Sequence, residues 1–222
     1  MNLSFDADKF REALRRFGPG ENSTTRSLSV YSAAVATAEE EFLDAAVERC
    51  RRYAVNREQF YEIILQSYLF LGFPRMLTAA KHLNRVFPGK DAASCLRKIS
   101  PDESECWFEH GMRLCKTVYG GNYELLKERM ESIAPEIFRW MIIEGYGKVL
   151  SRPLLSAVDR ELAVVACLMV ENRPKQLHAH MRGALNVGAS LALLSAVVHD
   201  IGGAAGEGFR ASLAILDELS DD

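Results

Sequence analysis

Helix start and stop signals recur along almost the whole chain, and they constrain the fold more than any other feature. Residues 39–53 begin with acidic residues and end with arginines, charges that suit the two ends of a helix dipole. Asn56 followed by Gln59 forms a capping-box pattern and predicts a helix from there to Leu71. No stretch alternates apolar and polar residues for long, so strands are not supported. We therefore predict an all-α protein of about ten helices with short connections.

Glycine and proline place the predicted helix boundaries. Gly72-Phe73-Pro74 ends one helix and starts the next, because glycine tolerates a left-handed cap and proline suits a first helical turn. Pro135 separates two predicted helices over residues 122–134 and 136–147. Asn172-Arg173-Pro174 breaks an apolar helix over residues 157–171 from the next one. The last break predicts a helical hairpin in the C-terminal half.

The length and an internal similarity indicate two related parts. A chain of 222 residues suits one large domain or two small ones. The polar residues 89–106 are interpreted as a linker between an N-terminal domain, 1–88, and a C-terminal domain, 107–222. A shift of 134 positions aligns Arg26 with Arg160 and Gly72 with Gly206. We predict two related helical domains that arose by internal duplication.

Charge and cysteine content exclude several classes of function. With 27 basic and 30 acidic residues, the net charge of −3 gives no general attraction to nucleic acid or anionic membranes. No apolar run approaches the ~20 residues that span a bilayer. The five cysteines are an odd, scattered set, which favours reduced thiols over disulfides or a zinc module. We predict a cytoplasmic protein without nucleic-acid or membrane partners.

The most specific signal lies in residues 146–190, which resemble the carboxymuconolactone decarboxylase family. The shared pattern is yG-x-v-l-sRp-x-L, then RE-L, then H-x-r-g-A-l-x-x-G, and the matching residues are Gly147, Arg152, Pro153, Leu155, Arg160, Glu161, Leu162, His180, Arg182, Gly183, Ala184 and Gly188. Residues 56–74 are similar to a second family segment, which ends in G-x-P. The resemblance implies an AhpD-like helical fold and assembly as a homo-oligomer.

The resemblance implies one of two chemistries. AhpD-like thiol peroxidases carry a Glu, a Cys at +12, a Cys at +15 and a His at +19. Counted from Glu161, these places hold Arg173, Gln176 and His180, so both cysteines are replaced. Cys167 lies in an apolar run without a second cysteine nearby. A peroxidase needs a thiolate nucleophile and a resolving thiol, so this chemistry is disfavoured.

The other branch is a lactone decarboxylase that needs no cofactor. Decarboxylation requires a proton for the developing carbanion or enolate and cations that hold the substrate carboxylates. His180 is then the candidate general acid/base, and Glu161 orients its ring. The small-molecule substrate would be an acid or lactone, and the candidate substrate-binding residues are Arg152, Arg160, Arg182 and Glu62.

Simpler interpretations of the same residues stay open. Glu161 could be a first-turn acid or a salt-bridge partner of Arg160, and His180 a core histidine. His178 and His180 point away from each other on a helix, so a shared metal is not expected. In the N-terminal half, the positions aligned with Glu161 and His180 hold Ser27 and Ala46. One site per chain is therefore predicted, and the alternative is a non-catalytic oligomeric or binding protein that keeps the fold.

Overall fold

The computed structural model describes residues 5–16, 20–88 and 101–221, with side chains described from Cys106 onward in the last range. The described residues form helices joined by short turns and contain no strand, which confirms the all-α prediction. The α-helices are α1 (Ala7–Arg16), α2 (Ser23–Thr37), α3 (Glu40–Arg52), α4 (Arg57–Val86), α5 (Pro101–Tyr119), α6 (Tyr123–Ile133), α7 (Pro135–Trp140), α8 (Ala157–Val170), α9 (Pro174–Asn186), α10 (Leu191–Ile201) and α11 (Glu207–Ser220). Short 3₁₀ turns lie at Gly120–Asn122 and Gly202–Ala205, and a π-helix spans Met141–Leu150.

The predicted capping box at the start of α4 and the predicted helix end at Gly72 are both confirmed. The Asn56 side chain accepts a hydrogen bond from the Gln59 amide at 2.9 Å, and the Gln59 side chain accepts one from the Asn56 amide at 3.0 Å. Gly72 has φ 75° and ψ 166°, so it interrupts α4 just before Pro74 starts a new helical stretch. Both effects depend on residues within one turn, which is why the sequence predicts them.

Two features between the halves differ from the sequence predictions. α5 begins at Pro101, inside the segment interpreted as a linker, while residues 89–100 lie outside the described residues. The helix predicted over 136–147 is instead α7 followed by the π-helix. A π-helix differs from an α-helix by one residue in its hydrogen-bond register, and local residue preferences do not specify that register. The division into two domains stays a prediction.

Helix boundaries recur at the 134-residue shift that aligns the two halves of the sequence. The pairs α2 and α8, α3 and α9, and α4 and α10 each begin 134 positions apart, and α1 begins 134 positions before the π-helix. Positive φ angles recur in the same way at Ala54 and Gly188. The helices α5–α7 have no counterpart within the described N-terminal residues. These correspondences support internal duplication, which stays a prediction.

Polar contacts between the halves are also reciprocal. The Arg26 guanidinium donates two hydrogen bonds to Asp200, at 2.7 and 2.8 Å. At the positions shifted by 134, Arg160 donates to the Gln66 side chain at 3.2 Å. In both halves, therefore, an arginine binds a polar side chain of the other half: α2 contacts α10 in this way, and α8 contacts α4.

Apolar side chains form two clusters. The larger cluster includes residues of α1–α4 and of α8–α11, so both halves contribute to it. The smaller cluster lies among α5, α6, α7 and the π-helix, around Cys115, Phe138 and Tyr146. Helix α5 of this second cluster packs against α9, one of the two helices that carry the candidate site.

Among the described residues, α4 has the length and apolar composition that a membrane-spanning helix needs. It also has features of a core helix. Gly72 interrupts it, and its buried face carries the polar side chains of Glu62 and Gln66. Those side chains bind α8 rather than lipid.

Candidate active site

Glu161 and His180 are positioned by the helical hairpin that the sequence predicts. α8 starts with a capping box, in which the Ser156 hydroxyl accepts from the Asp159 amide at 3.1 Å. The chain reverses at Asn172, which has φ 49°, and Pro174 occupies the first turn of α9. The reversal lays the beginning of α8 beside the middle of α9 and brings the two side chains together.

The Nδ1 atom of His180 lies 2.8 Å from Oε2 of Glu161. The two residues are only 7% and 2% exposed, so bulk water competes little for this bond. An ionised carboxylate can only accept, and Nδ1 therefore donates its proton to Glu161. In the neutral ring this leaves the lone pair on Nε2, which has no hydrogen-bond partner among the described residues. The phenyl ring of Phe70 contacts the imidazole edge to face, with ring centroids 5.3 Å apart.

A glycine allows three helices to meet at the Glu161 carboxylate. A Cβ atom at Gly183 of α9 would lie 3.0 Å from Oε2 of Glu161 and 2.8 Å from a methyl group of Val118 on α5. One turn later, the Asn186 side chain donates to the Val118 carbonyl at 2.8 Å. Gly183 is therefore needed for close packing of α5 and α9 around Glu161.

The charge of Glu161 also acts on three groups that the sequence analysis did not single out. Burial raises the pKa of the Cys115 thiol and of the Tyr119 phenol to about 12 each, and the charge of Glu161 adds to both effects. Burial raises the pKa of Tyr146 well above its usual value, again with a contribution from Glu161. All three side chains are therefore protonated at neutral pH. The ring centroids of Tyr119 and Tyr146 are 6.3 Å apart. Their spacing in the sequence gives no signal of this arrangement.

Three of the predicted substrate-binding residues form an ion-pair cluster of their own. Arg152 donates to both carboxylate oxygens of Glu62, at 2.8–2.9 Å. Arg160 donates to the same carboxylate at 2.8 Å and to the Arg152 carbonyl at 2.9 Å. Burial alone would raise the pKa of Glu62, but the hydrogen bonds from Arg152 and Arg160 lower it overall. Arg160 is buried, whereas the Arg152 side chain keeps 42% of its surface exposed.

This cluster and the Glu161–His180 pair share one face of α4. Glu62, Gln66 and Phe70 are four residues apart, so they follow each other along the helix. Glu62 and Gln66 contact Arg160, and Phe70 contacts His180. α4 therefore links the arginine cluster to the histidine over about 12 Å of helix.

The fourth predicted arginine lies elsewhere. Arg182 is 4.0 Å from Glu218 of α11, and His178 is 2.9 Å from the same carboxylate. His178 and Arg182 are one turn apart on the outer face of α9, opposite His180. The structure does not bring Arg182 to the Glu161–His180 pair.

The positions that hold cysteines in the peroxidase branch lie at the start of α9. Arg173 and Gln176 are both exposed there. Cys167 is buried in α8, where burial raises the pKa of its thiol to about 12. Positions 173 and 176 therefore supply neither the nucleophilic thiolate nor the resolving thiol that a peroxidase needs.

A cavity of about 450 Å³ lies away from this pair. Its lining includes the rings of Phe108, Tyr123 and Phe138, and four charged residues of both signs, namely Lys127, Glu131, Glu136 and Arg139. Neither Glu161 nor His180 lines it.

Residues 135–218 match the model of the carboxymuconolactone decarboxylase family, which confirms the resemblance. The matched segment contains the π-helix, the α8–α9 hairpin and both residues of the pair.

Two curated yeast proteins are similar over a longer stretch. Peroxisomal protein 2 of Saccharomyces cerevisiae is 24% identical over 163 residues, which cover 63% of this chain and 58% of the relative. Peroxisomal protein 2 of Schizosaccharomyces pombe is 25% identical over 130 residues, covering 58% and 60%. The chain thus spans less than two thirds of the length of these relatives. Their names refer to the peroxisome, and the cytoplasmic location predicted for this chain stays a prediction.

Proposed function

We propose that the protein carries out acid–base chemistry without a cofactor, a decarboxylation or a related proton transfer, on a small carboxylate or lactone. The observation that carries this proposal is the 2.8 Å contact between Nδ1 of His180 and Oε2 of Glu161. A carboxylate that holds Nδ1 fixes both the tautomer and the orientation of the ring. Nε2 then serves as the atom that exchanges a proton with the substrate.

The reaction divides into a bond cleavage and a protonation. The bond between the substrate carbon and its carboxylate breaks, carbon dioxide leaves, and the electron pair becomes an enolate conjugated with the neighbouring carbonyl. His180, protonated from solvent, donates a proton to the carbon, and Glu161 stabilises the imidazolium before that transfer. This sequence uses no oxidant and no thiol, in keeping with Arg173 and Gln176 at the peroxidase positions.

An arginine that binds the substrate carboxylate belongs to the same proposal. Among the four candidates, Arg152 combines a place in the Glu62 cluster with an accessible side chain. Arg160 is buried against Glu62, and Arg182 lies on the outer face of α9. Arg152 is therefore the candidate that we favour.

A binding protein without catalytic activity is the second candidate function. The observation in its favour is the cavity of about 450 Å³ that neither Glu161 nor His180 lines. In that case the buried Glu161–His180 contact would be a core polar interaction, which stabilises α8 against α9.

Self-assembly is a further part of the proposal. Ile133, Trp140 and Phe73 are 77%, 63% and 61% exposed, although large apolar side chains usually avoid water. We infer that such side chains contribute to contacts between copies of the chain in a homo-oligomer. Light scattering coupled to size-exclusion chromatography measures the mass, and a monomer at all concentrations contradicts the inference.

A substrate screen tests the catalytic proposal. Carboxylated lactones, including carboxymuconolactone, and unsaturated dicarboxylic acids are incubated with the wild type and with His180→Ala, and carbon dioxide release and product protonation are measured. We expect turnover by the wild type and a loss of about 10²- to 10⁴-fold in the variant, the usual contribution of a general acid or base. Equal turnover by both proteins rules out His180 as the catalyst.

The name of the two yeast relatives also suggests where the chain acts. We propose a peroxisomal location as the alternative to the cytoplasmic one predicted from composition. Fluorescence microscopy of the tagged chain beside a peroxisomal marker distinguishes the two.

A further inference from the structure

The ring of Phe70 covers the imidazole of His180 on the side of α4. The two ring centroids are 5.3 Å apart and the ring planes meet at 85°, so the rings are in contact. His180 is 7% exposed, whereas Phe70 is only partly buried and keeps some contact with solvent. The phenyl group is therefore a layer between the imidazole and water.

Helix α4 reaches α9 through this side chain. α4 packs against α2, α3, α8 and the π-helix. Glu62 and Gln66, which precede Phe70 on the same face of α4, bind Arg160 of α8. Phe70 extends past α8 and makes the ring contact that joins α4 to α9 among the described side chains. The closure over His180 on this side thus depends on one phenyl group.

Contacts on both sides of Phe70 hold the backbone of α4, so the ring is the part that is free to turn. Two residues earlier, Tyr68 binds Glu144 of the π-helix. Five residues later, Arg75 forms an ion pair with Glu171 at the end of α8. An aromatic side chain on a helix has two favourable χ1 rotamers and changes between them without a movement of the backbone.

The proposed reaction requires an opening at the imidazole. A substrate must approach Nε2 to within about 3 Å for proton transfer. Of the two groups that contact the imidazole, Glu161 is bound to Nδ1 and orients the ring, so it has to stay in place. Phe70 makes no hydrogen bond, and its partial exposure lets its ring move toward solvent.

We propose that Phe70 is the gate of the Glu161–His180 site, and that its ring turns aside to form the space in which the substrate reaches Nε2. The space that the phenyl group leaves has the size of a single six-membered ring. The site therefore takes carboxylates built on one small ring, such as monocyclic lactones. Phe70 takes no part in bond cleavage or protonation and is a specificity-determining residue. The substrate class rests on the proposed function, but access to the imidazole is measurable without turnover.

Modification by diethyl pyrocarbonate measures this access. The reagent acylates an imidazole nitrogen that carries a lone pair, which in neutral His180 is Nε2. Peptide mass spectrometry follows the rate at each histidine in the wild type, in Phe70→Ala and in Phe70→Leu, which keeps an apolar side chain in the core. The control Phe73→Ala removes a phenyl group that is 61% exposed. His178, with a side chain 36% exposed, and His82, 2% exposed, are internal references in every protein.

We expect His180 to react more slowly than His178 in the wild type. A gate whose open state is populated to 10% or less slows the reaction by the same fraction, so Phe70→Ala should raise the rate at His180 by about tenfold or more. Phe70→Leu should have a smaller effect in the same direction. The rates at His178 and His82 should not change, and Phe73→Ala should match the wild type.

Three results overturn the gate. They are a rate at His180 that is unchanged in both Phe70 variants, a rate at His180 equal to that at His178 in the wild type, and a rise that His82 shares. The last result would mean that the substitution loosens the whole fold. The outcome is separable from that of the proposed function. Access that depends on Phe70 without turnover of any carboxylated substrate counts against the function alone, and turnover that depends on His180 with unchanged access counts against the gate alone.

The size of the substrate space has a test of its own. One-ring and two-ring carboxylated lactones are compared as substrates of the wild type and Phe70→Ala. The wild type should prefer the one-ring compounds, and this preference should weaken in Phe70→Ala because the opening is larger. The same preference in both proteins contradicts selection by Phe70.

Discussion

His180 donates a hydrogen bond from Nδ1 to Oε2 of Glu161, 2.8 Å away, across the interface of α8 and α9. The residues are 19 positions apart and would lie roughly 28 Å apart on one unbroken helix. The reversal at Asn172 replaces that separation with direct contact. The acid and the imidazole of the family pattern thus form one unit, whereas the cysteine positions between them hold other residues.

This contact predicts the tautomer of His180. In the neutral ring, the proton should reside on Nδ1, because Glu161 can only accept. Glu161→Gln removes the carboxylate charge and lets the side-chain amide donate, so the population with the proton on Nε2 should rise. The ¹⁵N chemical shifts of the imidazole nitrogens report both forms. An unchanged tautomer in Glu161→Gln would show that the carboxylate does not orient the ring.

The Glu62 cluster predicts a dependence of stability on pH. Burial opposes ionisation of Glu62, but Arg152 and Arg160 lower its pKa overall. A carboxyl with a lowered pKa in the folded protein stabilises it above the unfolded pKa of about 4.3, and this contribution is lost as the pH falls below that value. Glu62→Gln should therefore lower the free energy of unfolding at pH 7, on the order of 3 kcal/mol, by leaving Arg160 buried without a charge partner.

Urea denaturation of the wild type and Glu62→Gln between pH 3 and pH 7 measures this effect. The difference between the two proteins should be largest at pH 7 and shrink toward pH 3. A difference that stays constant over that range would contradict the assignment of the ionised carboxylate to the two arginines.

The packing of α5 on the π-helix predicts that alanine lowers the stability of the protein at one glycine and not at another glycine two positions away. Gly147→Ala would place a methyl group 2.0 Å from the Trp107 carbonyl oxygen and should destabilise the protein by more than about 2 kcal/mol. Gly145→Ala is the matched control, because a Cβ there meets no atom within 4 Å. Chemical denaturation gives both values. Equal stability of the two variants would mean that α5 does not touch the π-helix this closely.

Burial predicts which cysteines react. Cys50, Cys115 and Cys167 are buried, and burial raises the pKa of each thiol to about 12, so little thiolate forms at pH 8. Cys106 is exposed. Iodoacetamide should therefore modify Cys106 in the native protein and spare the three buried thiols until the protein is unfolded, as peptide mass spectrometry can measure.

Arg173 and Gln176, at the two cysteine positions of the peroxidase branch, predict no thiol-dependent peroxidase activity. Consumption of hydrogen peroxide or an alkyl hydroperoxide, coupled to a dithiol, should equal the background rate. Turnover that disappears in Cys167→Ser or Cys115→Ser would contradict the proposed chemistry without redox cysteines.

The sequence predicts what short-range chemistry determines. The capping box of Asn56 and Gln59, the break at Gly72 and the hairpin at Asn172 depend on residues within one or two turns. The approach of Glu161 to His180 follows from that hairpin. Their catalytic roles stay predictions, since a hydrogen bond alone does not distinguish a catalyst from a core contact.

Contacts between distant segments explain what the sequence does not predict. Glu62 meets Arg152 across 90 positions, so the arginine that we favour for substrate binding is also paired with a carboxylate of the protein. Gly111 and Gly147 let the backbones of α5 and the π-helix touch, although they are far apart in the sequence. The π-helix is set by packing in the same way. Such features depend on the assembled core and leave no periodic pattern.

The rate of the best substrate found in the screen, measured in three variants, tests the central claim most directly. His180→Ala and Glu161→Gln alter the buried pair, and His178→Ala changes a histidine on the opposite face of the same helix, beside Glu218. We expect a rate at least about 100-fold lower for His180→Ala. The rate should fall less in Glu161→Gln, and His178→Ala should keep the wild-type rate. Wild-type turnover by His180→Ala, or an equal loss in His178→Ala, would contradict the claim that His180 is the acid–base residue.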